Sequence, residues 1–145
     1  MVERSKQDIA DLCAKTLWSD DNATQALNME LMSVKPGKAI IAMTVTKAMT
    51  NGHGTCHGGY IFTLADSAFA FTCNSHGPRN VAQNCSISYI APGRLGMRLI
   101  AEGIERQRGE RSGITDVTVR DDAGNIIAEF RGHSRTVPGS LLPEV

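Results

Sequence analysis

An aspartate in the middle of an apolar run is the first residue of chemical interest. From Gly58 to Ser75 the residues Ile61, Leu64, Ala65, Ala68, Phe69 and Thr72 recur at three-to-four spacing, and Phe62 and Phe71 widen the apolar surface almost all round. That pattern predicts a long buried helix. Asp66 sits at its centre. Aspartate is a poor helix former, and a charge in such surroundings is costly unless it is paired or used. Its carboxylate ionises near pH 4 when unperturbed, so at neutral pH it can attack a carbonyl or deprotonate a water.

The segment that enters this helix is the second candidate. Asn51-Gly52-His53-Gly54-Thr55-Cys56-His57-Gly58-Gly59 brings glycines to a helix start. The first backbone N–H groups there lack intrahelical acceptors and stand at the positive end of the macrodipole. They suit an anion or a developing oxyanion, and glycines let a ligand approach the backbone closely. The alternative for Gly58-Gly59 is tight helix packing, and for Asp66 a structural ion pair.

Eight residues of helix separate Gly58 from Asp66, an axial rise of about 12 Å, whereas nucleophile and oxyanion donor should both lie roughly 3 Å from one reacting carbon. One chain does not easily supply both. Two antiparallel copies of the helix facing each other across a dimer would, with Asp66 of one chain meeting Gly58 of the other.

Other constellations are weaker. His53, Cys56, His57, Cys73 and His76 mix imidazole and thiol ligands, but the seventeen residues from Cys56 to Cys73 span about 25 Å if helical and cannot share one tetrahedral ion. No metal is expected. Neighbouring residues on a helix point about 100° apart, which also disfavours a Cys56-His57 nucleophile pair.

The surrounding elements follow from local signals. Ser5 with Asp8 resembles a capping box ahead of Ile9, Leu12, Cys13, Thr16 and Leu17, which predicts a short N-terminal helix. Two strands flank Pro36-Gly37 between Met29 and Val45, and Gly77-Pro78 stops the long helix. Four strands are predicted at Val81 to Ile90, Met97 to Arg106, Ser112 to Arg120 and Ile126 to Thr136, the first with Val81, Cys85, Ile87 and Tyr89 alternating against Asn84, Ser86 and Ser88. The order implies an α+β fold, an antiparallel sheet wrapped on one helix, whose edges invite pairing with a second chain.

At 145 residues the chain is expected to form a single domain over 1–145. Fifteen basic and fifteen acidic side chains cancel, leaving no summed field for nucleic acid or an anionic membrane surface. No signal peptide or membrane span is legible, so the expected compartment is the cytoplasm. Four cysteines without a C-x-x-C pair read as free, mostly buried thiols.

The run from Asn51 to Asp66, Asn51-Gly52-His53-Gly54-Thr55-Cys56-His57-Gly58-Gly59-Tyr60-Ile61-Phe62-Thr63-Leu64-Ala65-Asp66, closely resembles the signature of the phenylacetic acid degradation thioesterases, the PaaI type of hotdog-fold proteins. The likeness extends through Ala68-Phe69-Ala70-Phe71, Cys73-Asn74-Ser75, Pro92-Gly93 and Phe130-Arg131-Gly132. It implies a hotdog dimer, commonly paired into a homotetramer, that hydrolyses aryl-acyl-CoA thioesters such as phenylacetyl-CoA or its hydroxylated derivatives, with no cofactor beyond the CoA of the substrate. By position, the resemblance makes Asp66 nucleophile or general base and the Gly58 N–H the group that polarises the thioester carbonyl. Asn51 would orient carbonyl or water, and His57 and Gly59 complete the motif. His57 as a capping histidine and Asn51 as a turn residue stand as alternatives. The family lays CoA along the sheet edge, which points to Tyr89, Pro92 and Arg94 and to Arg108, Arg111 and Ser112. Some relatives carry a lysine or arginine where this chain has Ala91 or Glu110, and Ala70 lacks the hydroxyl of more distant relatives. Thr63 and Ser67 receive no role. Other readings of the same fold are a non-catalytic acyl-CoA-binding protein and an enoyl-CoA hydratase.

Overall fold

The computed structural model describes residues 3–144. Helix α1 (Lys6–Asp20) opens on the expected capping box: the Ser5 hydroxyl accepts from the Asp8 N–H at 3.0 Å and the Asp8 carboxylate accepts from the Ser5 N–H at 3.1 Å. A short α2 (Asn22–Ala26) follows, which local periodicity did not signal. Then come β1 (Glu30–Lys35), β2 (Lys38–Thr44), a 3-10 turn (Lys47–Met49), α3 (Gly58–Cys73), β3 (Pro78–Tyr89), β4 (Arg98–Arg108), β5 (Ser112–Arg120) and β6 (Ile126–Ser140).

The strands form one six-stranded sheet in the order β1-β2-β4-β5-β6-β3, and every neighbouring pair is antiparallel. Helix α3 lies across its inner face, with most contacts to β2, β4 and β5. This is the hotdog arrangement that the sequence implied. The residues turned toward the helix are Ala39, Ile41 and Met43 of β2, Leu99 and Ala101 of β4, Val117 and Val119 of β5, and Ala128 and Phe130 of β6, all buried. Uncharged inner strands leave α3 in apolar surroundings, which is why nearly every turn of it is apolar.

One inner-face position must stay small. A Cβ on Gly132 of β6 would stand 2.7 Å from the ring of Phe69, so the glycine lets α3 approach the sheet. Phe69 and Phe62 each pack against Phe130, with ring centroids 5.8 and 5.4 Å apart.

Strand β3 departs from the expected alternation. Among the described residues it pairs with β6 alone, leaving its other edge open, and Val81 and Tyr89 are 49% and 52% exposed instead of facing inward. The pairing slips between Ala82 and Asn84, so one periodicity does not run the length of the strand. Pro78 can begin it because an edge strand needs no donor there.

Candidate functional site

The loop before α3 is fastened from within. The Asn51 side-chain oxygen accepts from the backbone N–H groups of His53 at 2.9 Å and Thr55 at 3.2 Å, and the Asn51 N–H reaches the Thr55 carbonyl at 2.8 Å. Asn51 therefore shapes the turn, as one of its two sequence readings held. The N–H groups of Cys56 and His57 donate to the carbonyls of Gly93 and Met49, both at 2.7 Å, which docks the loop on the rest of the fold.

His57 caps the helix. Its Nδ1 accepts from the Gly59 N–H at 2.9 Å, so a neutral ring carries its proton on Nε2. That contact occupies one of the free donors at the helix start. The Gly58 N–H meets no acceptor among the described residues, while the Gly58 carbonyl accepts from the Tyr89 hydroxyl at 2.9 Å. The Tyr89 ring lies so close that a Cβ on Gly58 would stand 2.9 Å from its Cζ. That approach leaves room for glycine alone while the ring keeps its place.

Asp66 lies two turns further along α3, partly buried. Among the described residues its carboxylate takes part in no ion pair. Burial pushes its pKa above the ordinary carboxylate value, and the negative charge of Asp21 pushes it the same way. The ion-pair alternative for Asp66 is thus not what the structure contains.

The next residue, Ser67, is buried and its hydroxyl lies 2.8 Å from that of Thr24, which in turn donates to Asp21 at 2.7 Å. Sequence reasoning gave none of these a role. Asp21 with Thr24 three residues on is a readable N-cap signal, and it caps α2 here. The link to Ser67, across 43 residues of sequence, left no local trace.

A cleft of about 520 Å³ opens at the start of α3, lined by residues that include Gly58, Ile61, Tyr89, Ile90 and Pro92. Arg94 stands beside it, exposed, with its backbone bridged to Thr55. The other predicted contacts are elsewhere in the protomer. Arg108, Arg111 and Ser112 form the β4–β5 turn, in register with Val81, whereas Tyr89 is in register with Ala128 and Val119. Eight residues of strand amount to about 26 Å, so one chain does not bring the two groups together. Arg108 meets Glu105 at 3.6 Å, and Arg111 and Ser112 are exposed. A larger groove of about 670 Å³ between α1 and β1 touches none of these residues.

No three His, Cys, Asp or Glu side chains converge among the described residues. The chemistry available is that of an unpaired carboxylate and a free backbone donor: one can activate water or attack a carbonyl, the other can hold the oxygen that becomes negative.

A family model described as the thioesterase superfamily matches residues 53–128, from the loop through α3 to β6. The acyl-coenzyme A thioesterase PaaI of Escherichia coli strain K12 is 38% identical over 131 residues, covering 90% of this chain and 94% of that protein. The structure of the E. coli PaaI protein from the phenylacetic acid degradation operon superposes with a TM-score of 0.92 at 38% identity, over 94% of this chain and 99% of that one. A Streptococcus mutans UA159 protein crystallised with acetyl-CoA aligns with a TM-score of 0.75 at 29% identity, over 77% of this chain and 90% of that one.

Proposed function

The chain belongs to the thioesterase superfamily and is an acyl-CoA thioesterase, and from that premise we propose that it hydrolyses aryl-acyl-CoA thioesters, of the phenylacetyl-CoA or hydroxyphenylacetyl-CoA class, to free acid and CoA. The observation that carries the mechanism is Asp66, a carboxylate on the central helix with no ion-pair partner among the described residues and a raised pKa. Burial makes this carboxylate a stronger base than an exposed one, which favours proton abstraction from water.

In this reading the active unit is a homodimer, itself paired into a homotetramer. Two observations support it: the open edge of β3, and the eight residues of α3 that hold Gly58 and Asp66 apart in one chain. With two copies of α3 antiparallel, the Gly58 N–H of one chain polarises the thioester carbonyl while Asp66 of the other serves the carbonyl carbon. Water adds to that carbon as its proton passes to the carboxylate; the tetrahedral intermediate expels CoA thiolate, which takes the proton back. Direct attack by Asp66, followed by hydrolysis of the mixed anhydride, delivers the same products. Tyr89, Pro92 and Arg94 of one chain and Arg108, Arg111 and Ser112 of the other then flank a single CoA, the arginines facing its phosphates. His57 and Asn51 act by holding the loop and helix start in place.

The E. coli relative's place in a phenylacetic acid degradation operon supports the aryl class. The test is a panel of aryl and straight-chain acyl-CoAs assayed with the wild type and Asp66→Asn. Aryl substrates should give the highest kcat/KM, and Asp66→Asn should lower kcat by about 10² to 10⁴ with assembly unchanged. Near-normal turnover in the variant would end the mechanism, and a preference for straight chains would end the aryl assignment.

A further inference from the structure

We propose that Asp21 is a positioning residue for this reaction: through Thr24 and Ser67 it fixes the α1–α2 corner against the turn of α3 that carries Asp66, and the same linkage brings its charge near that turn. The proposal rests on the catalytic reading of Asp66 given above.

The linkage is built from buried hydroxyls. Thr24 is 1% and Ser67 8% exposed. The Thr24 N–H and hydroxyl both donate to the Asp21 carboxylate, at 3.0 and 2.7 Å. A hydroxyl has one proton, and that of Thr24 goes to Asp21, so at the 2.8 Å contact between Thr24 and Ser67 it is Ser67 that donates. The chain therefore runs Ser67 to Thr24 to Asp21 and ends on a charge, which makes its last bond the stronger kind. Buried hydroxyls are costly when unbonded, so each member depends on the next.

Few other charges bear on Asp66. The buried residues of β2, β4, β5 and β6 are uncharged, Thr115 and Ser134 being the polar ones among those described. Cys73, further along α3, has its thiol pushed up to about 12, chiefly by burial, and Cys85 of β3 is raised for the same first reason; both are neutral at working pH. Glu105 of β4 lies by the far end of α3, tied to His76 at 2.9 Å and Arg108 at 3.6 Å. Glu30 of β1 is paired with Arg98 at 2.8 Å. Asp21, at the start of α2, is the charge that acts in concert with burial. Like charges disfavour joint ionisation, so Asp21 keeps the proton on Asp66 up to a higher pH and makes its ionised form a stronger base.

The experiment is kcat/KM and kcat against pH for wild type, Asp21→Asn, Thr24→Val, Thr24→Ser and Asp66→Asn, followed by thioester absorbance so that thiol ionisation does not enter the readout. Asparagine caps a helix about as well as aspartate, so Asp21→Asn removes charge and keeps α2. Its acid limb should move to lower pH; a limb that stays in place or moves up overturns the charge half of the proposal. Thr24→Val should lower kcat by up to about 100-fold with KM held, on the scale of roughly an ångström of misplacement, and Thr24→Ser should restore it. Wild-type kcat in Thr24→Val overturns the positioning half, and failure of the serine to rescue does the same. Loss of activity in Asp66→Asn is the separate condition that keeps the underlying catalytic reading standing.

Discussion

Substituting Gly58 by alanine isolates what Tyr89 does. The added methyl would stand 2.9 Å from the Tyr89 Cζ and 3.0 Å from its hydroxyl oxygen, closer than atoms pack. The α3 backbone is held there by the His57 cap and the docked loop, whereas Tyr89 is 52% exposed. The ring is therefore what moves, and it swings outward on an open edge strand. Its 2.9 Å bond to the Gly58 carbonyl is lost, at about 1 kcal/mol. Alanine at this first helical position returns part of that amount, so overall stability should fall by less than about 1 kcal/mol. The cleft wall, however, loses a side chain fixed over the helix start. If substrate must restore that position, about 1 kcal/mol of binding is withdrawn, equal to roughly a fivefold rise in KM. The assay is a double-mutant cycle: KM for an aryl-acyl-CoA in wild type, Gly58→Ala, Tyr89→Ala and the double variant, with Tm beside each. The KM effect of Gly58→Ala should vanish in the Tyr89→Ala background. An equal KM rise in both backgrounds would refute this account.

Gly132→Ala should act on folding instead: its methyl would enter the ring of Phe69, which is 1% exposed, and overpacking of that kind costs about 1 to 3 kcal/mol, read as a lower denaturation midpoint with kcat intact below it. Asp66→Asn should raise Tm at neutral pH. The folded-state pKa of Asp66 lies above its unfolded value, so the ionised acid destabilises the fold above the raised value, and the burden lifts as pH falls through it. The gain in Tm should accordingly fade toward pH 4, and a gain that is independent of pH would contradict the assignment.

How far the sequence went depends on the reach of each signal. The α1 cap, the Pro36-Gly37 hairpin and the apolar face of α3 are written in residues a few positions apart, and each formed as expected. Helix α2 has five residues, too few for a period to show. Val81 defied alternation because the slip in β3 separates it from Cys85 and Ile87, and Tyr89 because it ends the strand at the open cleft. At the site, the types of Asp66, Gly58 and His57 were legible. What each side chain touches was not: Tyr89 bonds to Gly58 across 31 residues and Ser67 meets Thr24 across 43. Contacts of that length are made by the closing of the sheet around the helix, and no local pattern encodes them.

The open flank of β3 bears on how such a molecule can fail. A second chain that aligned along that flank would extend the sheet without interruption, so the bonds completing the secondary structure and those completing the assembly would be of one kind. Damage to the order of this strand, whether from heat, denaturant or a proline placed within it, would then loosen the union of the chains and the Tyr89 wall in one event. Dissociation and inactivation would share a midpoint while the helix and inner strands kept their shape.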